Sequence, residues 1–564
     1  MLQHIPKTVK YILLPILVLA AGALVYLKTR KSKDFEPLIK DKLQEVVTKA
    51  TNGLYKLHYD SLTIDVLASK VTLSNAVLQP DSARLLQLDS LQQAPDDVFK
   101  ISLKTLDITG LGPADMLNKK NISLTDLFLD NPDIEIYHQK RAYNYQSPDT
   151  ATLYRKLAGM VQSFELQRLL LRHISLTYHN LEKKSTTSFK DLGAILENIK
   201  IDSSTQFDTT RFFFAKRADI QLNGYEAKTG DNLHRFHVDS ITVLATSKQM
   251  RLVGLTLKPA GDKEAFWRKL KYRKDRYDIT IRNILLEDVD WYSIITGQSI
   301  KAGKIALEDA NVEVYCNKAI QPSTDKIAAF PSQTLQQCPL PLMVKKIQLT
   351  NFAIFYKEYN TESKQTGTVE FAKTSGTVTN VTNIQEEIAK NKKMEIDAHT
   401  RLMNDGKLDV QFSFDLTKMQ SGAFSIDAAL GPMDGASMNR AIVALSMVEV
   451  EKANVQSFRL HMNGNTTGAN GTVAMAYTDL SVKALKPDKN EPGELKKKGL
   501  ATFMANNFVL QKNNPSKGEP LRTYNSAWLH DKHRSFFSLV WKTIMQGIIS
   551  SVKGKQTEMK RKYS

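Results

Sequence analysis

From Leu54 onward the chain is written mostly in short runs where apolar and polar residues alternate, the period of a strand with one buried and one wet face. "NPDIEIYHQK" (Asn131–Lys140) is one such run, and "DANVEVYCNK" (Asp309–Lys318) repeats its rhythm 178 residues later. The pattern predicts strands in "LTIDVLASKVTLSNAVLQPD", "KISLKTLDITG", "ISLTDLFLDNPDIEIYHQK", "ISLTYHN" and "LGAILENIKID". Gly, Pro, Asn and Asp punctuate them as turns. Helical periodicity is confined to a few places. "DFEPLIKDKLQEVVTKATNG" puts Phe35, Leu38, Ile39, Leu43, Val46, Val47 and Ala50 on one face and stops at Asn52-Gly53. "GPADMLNKK" predicts a short helix, and "DTATLYRKLAGMVQSFELQRLL", from Asp149, a longer one.

The repeated phrase is part of a longer correspondence. At an offset of 178, Ile134–Tyr137 falls on Val312–Tyr315 and Ile174–Tyr178 on Phe352–Tyr356. Upstream the offset is 179, with Asp60-Ser61-Leu62-Thr63 on Asp239-Ser240-Ile241-Thr242 and Pro80 on Pro259. Alternation alone is common to all half-buried strands. Turn prolines and Asp-Ser pairs at a fixed spacing are not, and they imply an internal duplication of a unit of about 170 residues. Stacked strand-rich repeats can extend one sheet and one apolar surface, so the expected body is elongated with an apolar lining.

The last third reads differently. A short helical linker at 383–391 precedes Gly- and Asp-punctuated strands, a helix from about Asp434, and further strands to the basic loop "KPDKNEPGELKKKG". Strands are then expected near 501–510 and 521–529. The chain closes on an amphipathic helix in which Phe536, Val540, Ile544, Ile548 and Val552 form one row. Phe537, Trp541, Met545 and Ile549 form the row beside it. Ser538, Lys542, Thr543, Gln546 and Ser550 mark its polar face. Two readings follow: Phe536, Phe537, Val540, Trp541, Ile544 and Ile548 enter a membrane interface, or they plug the sheet as ordinary core.

Near the N-terminus, "YILLPILVLAAGALVYL" (Tyr11–Leu27) is an uncharged run bracketed by Lys10 and Lys28. It matches the lower limit for spanning a bilayer core of about 30 Å. Ala21-Gly22-Ala23 offers a signal-peptide cleavage site instead, but the apolar run continues past it, which favours a retained anchor. The 564 residues are globular in composition, 42% hydrophobic and 24% charged, with a formal charge of +18. Such charge suits anionic partners, yet it is spread along the chain. No basic run interleaved with aromatics forms a nucleic-acid module, so no nucleic-acid partner is expected. The two cysteines, Cys316 and Cys338, form either a disulfide or two free thiols; their spacing fits no four-ligand zinc site.

Enzyme signatures are missing: no Gly-x-Ser-x-Gly elbow, no phosphate-binding Walker loop, no His-Glu-x-x-His. His234 and His237, with Asp239, are three apart on a strand and face opposite sides. His530 and His533 share that spacing in an expected turn. Neither pair makes a convincing metal site, and no catalytic residue, metal or cofactor is expected.

The N-terminal span followed by "LYKLHYDSLTIDVLASKVTLSNAVLQPD" resembles the start of AsmA-like envelope proteins. "GAFSIDAALGPMDGASMNRAI", "GNTTGANGTVAMAYTDLSVKAL" and "GLATFMANNFVLQKNNPSKG" resemble their C-terminal region. The likeness covers most of the chain through diffuse strand patterns. It implies kinship with TamB-like and chorein-type bridge proteins, whose β-sheet grooves are thought to conduct phospholipid between membranes. It also implies a single-pass inner-membrane anchor with the C-terminal body in the periplasm, although the charges flanking the span lean the other way.

The expected fold is mainly β with short helices (α+β): a transmembrane helix, an elongated repeat-built β-sheet groove and a C-terminal amphipathic helix. The expected divisions are a tail (1–9), the span (10–28), a linker helix (29–53), two repeats (54–210 and 211–384), an AsmA-like β module (385–490) and a closing segment (491–564). Ile134, Ile136, Ile174, Leu176, Val312, Val314 and Ile354 are the candidate groove lining. The expected function is binding or conducting phospholipid in support of outer-membrane biogenesis, with phospholipid and the membrane as partners. A non-transporting envelope scaffold is the competing reading.

Overall fold

A computed structural model describes residues 44, 47, 48 and 51–556, apart from 66, 111–120, 146–161, 183, 206, 209, 213, 296–297, 324–326, 489, 492 and 498–509. The chain is mainly β with few short helices. It divides into two compact units, Met1–Ala227 with His237–Val253 and Glu287–Gln298, and Lys228–Phe236 with Gly254–Leu286 and Ser299–Ser564.

In the first unit β1 (Tyr55–His58) and β2 (Ser61–Asp65) pair antiparallel with β3 (Lys70–Pro80). Helix α1 (Ser82–Ser90) starts where Asp81 accepts a hydrogen bond from the Arg84 amide. Strand β4 (Asp97–Thr109) pairs antiparallel with β3, β5 (Asn121–Asp130) and β6 (Asp133–His138). Both β5 and β6 lie parallel to β7 (Ser163–Asn180), which pairs antiparallel with β8 (Ser185–Ile201); β8 in turn pairs antiparallel with β9 (Arg217–Lys228).

There follow β10 (His234–Leu244), β11 (Gln249–Pro259), α2 (Lys263–Arg268), β12 (Arg276–Glu287), α3 (Trp291–Ile295), β13 (Ile300–Asn317), α4 (Pro331–Gln336), β14 (Leu342–Tyr359) and β15 (Thr366–Thr382). Next come α5 (Gln385–Lys390), β16 (Lys393–Leu402), β17 (Gly406–Asp415), β18 (Phe424–Leu430) and β19 (Met433–Asp434). The chain closes with α6 (Asn439–Ser446), β20 (Val448–Asn465), β21 (Gly468–Pro487), β22 (Leu495–Lys497), β23 (Thr523–Leu529) and α7 (Phe536–Lys553). In the second unit β13 is parallel to β14. From β14 the pairing is antiparallel through β15, β16, β17, β18, β20, β21 and β23 in turn.

The spacing seen in the sequence recurs in the strands. Strand β11 begins and ends 179 residues after β3, and β14 begins and ends 179 after β7. Both copies contain a parallel pair followed by an antiparallel one. Their irregularities coincide as well. The β7–β8 register shifts at Leu171, Ile174 and Leu176; the β14–β15 register shifts at Leu349, Phe352 and Ile354, each 178 residues on. His173 and Asn351 carry the positive φ that these bulges need. An extra residue at one point in a ladder is a specific feature, and it recurs here at the spacing of the sequence correspondence.

The segment expected to be helical from Asp149 differs. Its first part lies outside the described residues, and from Ser163 it is strand β7. Leu, Gln and Arg favour helix locally, but Phe164, Leu166, Leu169 and Leu171 face the core while β5 and β8 bond to either edge. Tertiary pairing overrides propensity there. Of the leading helix, Gln44, Val47 and Thr48 are described as helical, and the Gly53 amide bonds back to the Thr48 carbonyl at 2.8 Å, as the expected C-cap requires. The expected helix at 112–120, nearly all of the strand expected at 501–510 and the apolar run Tyr11–Leu27 lie outside the described residues. Among those described, no helix is long and apolar enough to cross a membrane.

Candidate functional site

The first-copy candidates are core residues. Ile134, Ile136, Ile174 and Leu176 are at most 6% exposed and belong to a cluster with Leu106, Leu127 and Leu169. Val47, Leu88, Phe212 and Ala215, from segments remote in sequence, join the same cluster. This face is therefore filled, and these four side chains line no open groove. Of their second-copy counterparts Phe352 is buried as well, whereas Val312, Val314 and Ile354 are only half-buried.

The strand register shows why the second unit is different. Side chains directly opposite on paired strands share a face. Ile305, Ile347, Val378, Ile396, Phe412, Ile426 and Met462 stand opposite one another in sequence across seven strands. Beside them runs Leu307, Leu349, Gly376, Ala398, Val410, Ala428 and Leu460. One residue along, on the other face, the row reads Lys304, Lys346, Thr379, Glu395, Ser413, Ser425 and Asn463. The sheet is amphipathic across these seven strands. On that second face His399 bonds Asp409 at 2.6 Å and His461 bonds Asp427 at 2.7 Å. Hydrogen bonding to Asp409 holds His399 above the usual histidine range.

Cover on the apolar face is uneven. Ile426, Leu460 and Met462 are fully buried, in a core with Phe536, Leu539 and Val540 of α7 and with Phe330 and Leu335 from the crossover between β13 and β14. Phe536 stands 4.9–6.4 Å from the ring centroids of Phe330, Phe412, Phe414 and Phe424. From β13 to β17 the apolar rows remain half-buried. An apolar face thus runs from a closed end under α7 to a stretch that still meets solvent.

Helix α7 is rotated from the orientation its sequence suggested. Phe536 and Val540 are core residues, and Ile544 and Ile548 pack against that core, so these four do not form a membrane-facing row. Thr543, Gln546 and Ser550, expected on the polar face, are buried instead, and so is Ser551. Their polar atoms are satisfied: Thr543 and Ser550 donate to the carbonyls four residues back, the Gln546 side chain accepts from the Ala527 amide at 2.7 Å, and Ser551 accepts from Asn514. Gly547 permits the close approach, because a Cβ there would stand 2.4 Å from a Val473 methyl. Phe537 and Trp541 are exposed.

The rows through Val312, Val314 and Ile354 end in polar groups, Cys316 opposite Glu358 on the neighbouring strand. Tyr356 donates to Glu358 at 2.9 Å and Lys318 pairs with Glu358 at 3.1 Å. Burial pushes the Asp275 carboxyl up, against a hydrogen bond from Cys316, and burial pushes the Cys316 thiol up to about 11. Both cysteines are free. Cys316 lies opposite Glu358 near one end of β14, whereas the Cys338 carbonyl accepts from Asn383, which also bonds Leu342 at the other end. Sixteen residues of strand separate those ends, on the order of 50 Å, which explains why the pair does not close. A thiol pushed that high is almost wholly protonated at pH 8, so little of the reactive thiolate is present. Iodoacetamide is therefore expected to label half-exposed Cys338 at least ~100-fold faster than Cys316, as read by peptide mass spectrometry; equal rates would contradict the burial of Cys316.

The histidine pairs do not converge. His234 is buried and its Nε2 accepts from the Tyr277 amide at 3.0 Å, while His237 pairs with Asp239 at 2.9 Å. Burial holds His234 and His530 below the usual histidine range, and His530 sits between the carbonyls of Thr466 and Arg534. Among the described residues no group of His, Cys, Asp or Glu is placed to hold a metal ion.

The sequence reading missed Ile305, Ile347, Val378, Ile396 and Phe412. The signal was present in "KIALEDA", "KKIQLT", "GTVTNVT", "MEIDAHT" and "DVQFSFD", whose alternation places them in phase once the strand order is known. Fold and site together define a mainly β protein with an amphipathic sheet in its second unit. Comparison with known protein families and with curated proteins finds no match for this chain.

Proposed function

We propose that this is a membrane-anchored, AsmA-like protein that binds phospholipid by its acyl chains along the β13–β17 face of the second unit, in support of outer-membrane biogenesis. The observation that carries the reading is the pair of apolar rows, continuous with a core under α7 and only half-buried from β13 to β17. Exposed to water, an acyl chain of sixteen carbons costs on the order of 12 kcal/mol at about 0.8 kcal/mol per CH₂. Five strands span four gaps of about 4.8 Å, some 19 Å in all. That compares with the roughly 15 Å each leaflet contributes to a bilayer core of about 30 Å. The opposite face, with Lys346, Glu395 and Asp397, suits water. The resemblance of the N-terminal run and the C-terminal strands to AsmA-like proteins supports the inner-membrane anchor and the periplasmic setting.

A photocrosslinking residue at position 378 is expected to capture phospholipid in cells, and one at position 379 is not, because neighbouring positions on a strand face opposite sides. Equal capture at both, or none at 378, would overturn the reading.

A further inference from the structure

Helix α7 carries a second apolar surface, one the sheet does not use. Phe537, Trp541, Met545 and Ile549 recur every four residues, a row about 18 Å long at 1.5 Å per residue. Phe537 is 67% exposed, Trp541 41% and Ile549 37%. The helix cannot hide this row by turning over. Its other side is locked by the Gln546–Ala527 and Ser551–Asn514 hydrogen bonds and by the Gly547–Val473 contact. Burial of Thr543, Gln546, Ser550 and Ser551 in preference to Phe537 and Trp541 is the reverse of what a helix packed only for its own fold would do.

The surroundings are cationic and apolar together. From Lys532 to Thr557 there is no acidic residue, while Lys532, Arg534, Lys542, Lys553 and Lys555 are present. The Lys542 ammonium lies 5.2 Å from the Trp528 ring. Burial, with Arg534 and Lys318 nearby and Asp531 opposing them, holds it below the usual lysine range. Exposed Leu529 precedes this segment. Exposed Ile327 adjoins it, since the next amide, Ala328, bonds to the Lys532 carbonyl at 2.9 Å.

We infer that this face of α7 docks flat on a bilayer containing anionic lipid, with Phe537, Trp541 and Ile549 entering the acyl boundary and the flanking cations meeting headgroups. Charge complementarity selects this occupant. A second copy of a chain carrying +18 would bring like charges together, whereas an anionic surface neutralises Lys542 and its neighbours. Docking of this face is independent of whether the sheet binds lipid.

The test uses the full chain reconstituted in vesicles of phosphatidylcholine with about 30% phosphatidylglycerol, carrying bromine-labelled acyl chains either in the host bilayer or in added acceptor vesicles. The Trp541 signal is the fluorescence of the protein minus that of Trp541→Phe. In one of the two arms quenching of at least twofold is expected, and it should vanish with phosphatidylcholine alone. Phe537→Ser with Ile549→Ser should lower the quenching toward zero without lowering the thermal midpoint. Val378→Asp, which disables the sheet face, should leave it unchanged, so failure of docking and failure of sheet binding remain distinguishable. Absence of quenching in both arms, equal quenching without anionic lipid, or burial of Trp541 by self-association or by a protein partner would each overturn the proposal.

Discussion

Phe536→Ala is expected to destabilise the second unit by about 3–5 kcal/mol, whereas Phe537→Ala, one residue along, should change it by less than about 0.5 kcal/mol. Phe536 is 3% exposed and meets four other aromatic rings drawn from β17, β18 and the β13–β14 crossover. Removing it leaves a cavity walled by Phe330, Phe412, Phe414 and Phe424, side chains too large and too constrained to collapse inward. Phe537 touches Phe536 edge-on at 5.2 Å and otherwise faces solvent. Guanidinium titration of the full chain in detergent, followed by tryptophan emission, reads the difference as a lowered midpoint for the first variant alone. Similar losses for both would mean that α7 sits on the sheet by its other side, and the docking inference would fall with that orientation.

The same pair of residues shows what the sequence conceals. Periodicity correctly places a helix at 536–553, capped by Ser535 and ended by Gly554 in the left-handed region. It does not say which stripe is inside, because two apolar rows compete. The deciding signal is the small-residue ladder Thr543, Gly547, Ser550 and Ser551, which lets the backbone approach β21. Hydrophobicity ranks that ladder last. Ile134 and Val312 make a parallel case. They stand 178 residues apart at corresponding positions and read alike, as Pro80 and Pro259 do at 179. What separates them is what arrives from elsewhere: Val47, Leu88 and Phe212 join the core around the first, and Val312 remains half-buried. Those long-range partners carry no periodic mark. Strand β7 was hidden for a similar reason, since "FELQRLL" favours helix until β5 and β8 bond to it.

Val378→Asp should reduce phospholipid recovered per chain by at least tenfold, with Thr379→Lys as a near-neutral companion. Val378 stands between Ile347 and Ile396, at the middle of the half-buried stretch that runs from Ile305 to Phe412. A carboxylate there must either stay hydrated, which holds water against the path of an acyl chain, or be covered by hydrocarbon with no partner to pair it. Each tenfold loss corresponds to about 1.4 kcal/mol, a small fraction of the penalty for burying an unpaired charge. Thr379 faces Lys346 and Glu395 on the wet side, so a lysine there adds charge where water already is. The half-burial of Val378 limits the damage to folding, and an unchanged thermal midpoint is the control that the sheet persists. Undiminished phospholipid in folded Val378→Asp, measured by quantitative mass spectrometry of extracts, would mean that the apolar rows are merely the exposed margin of the α7 core. The polar face would then be the place to look for a partner.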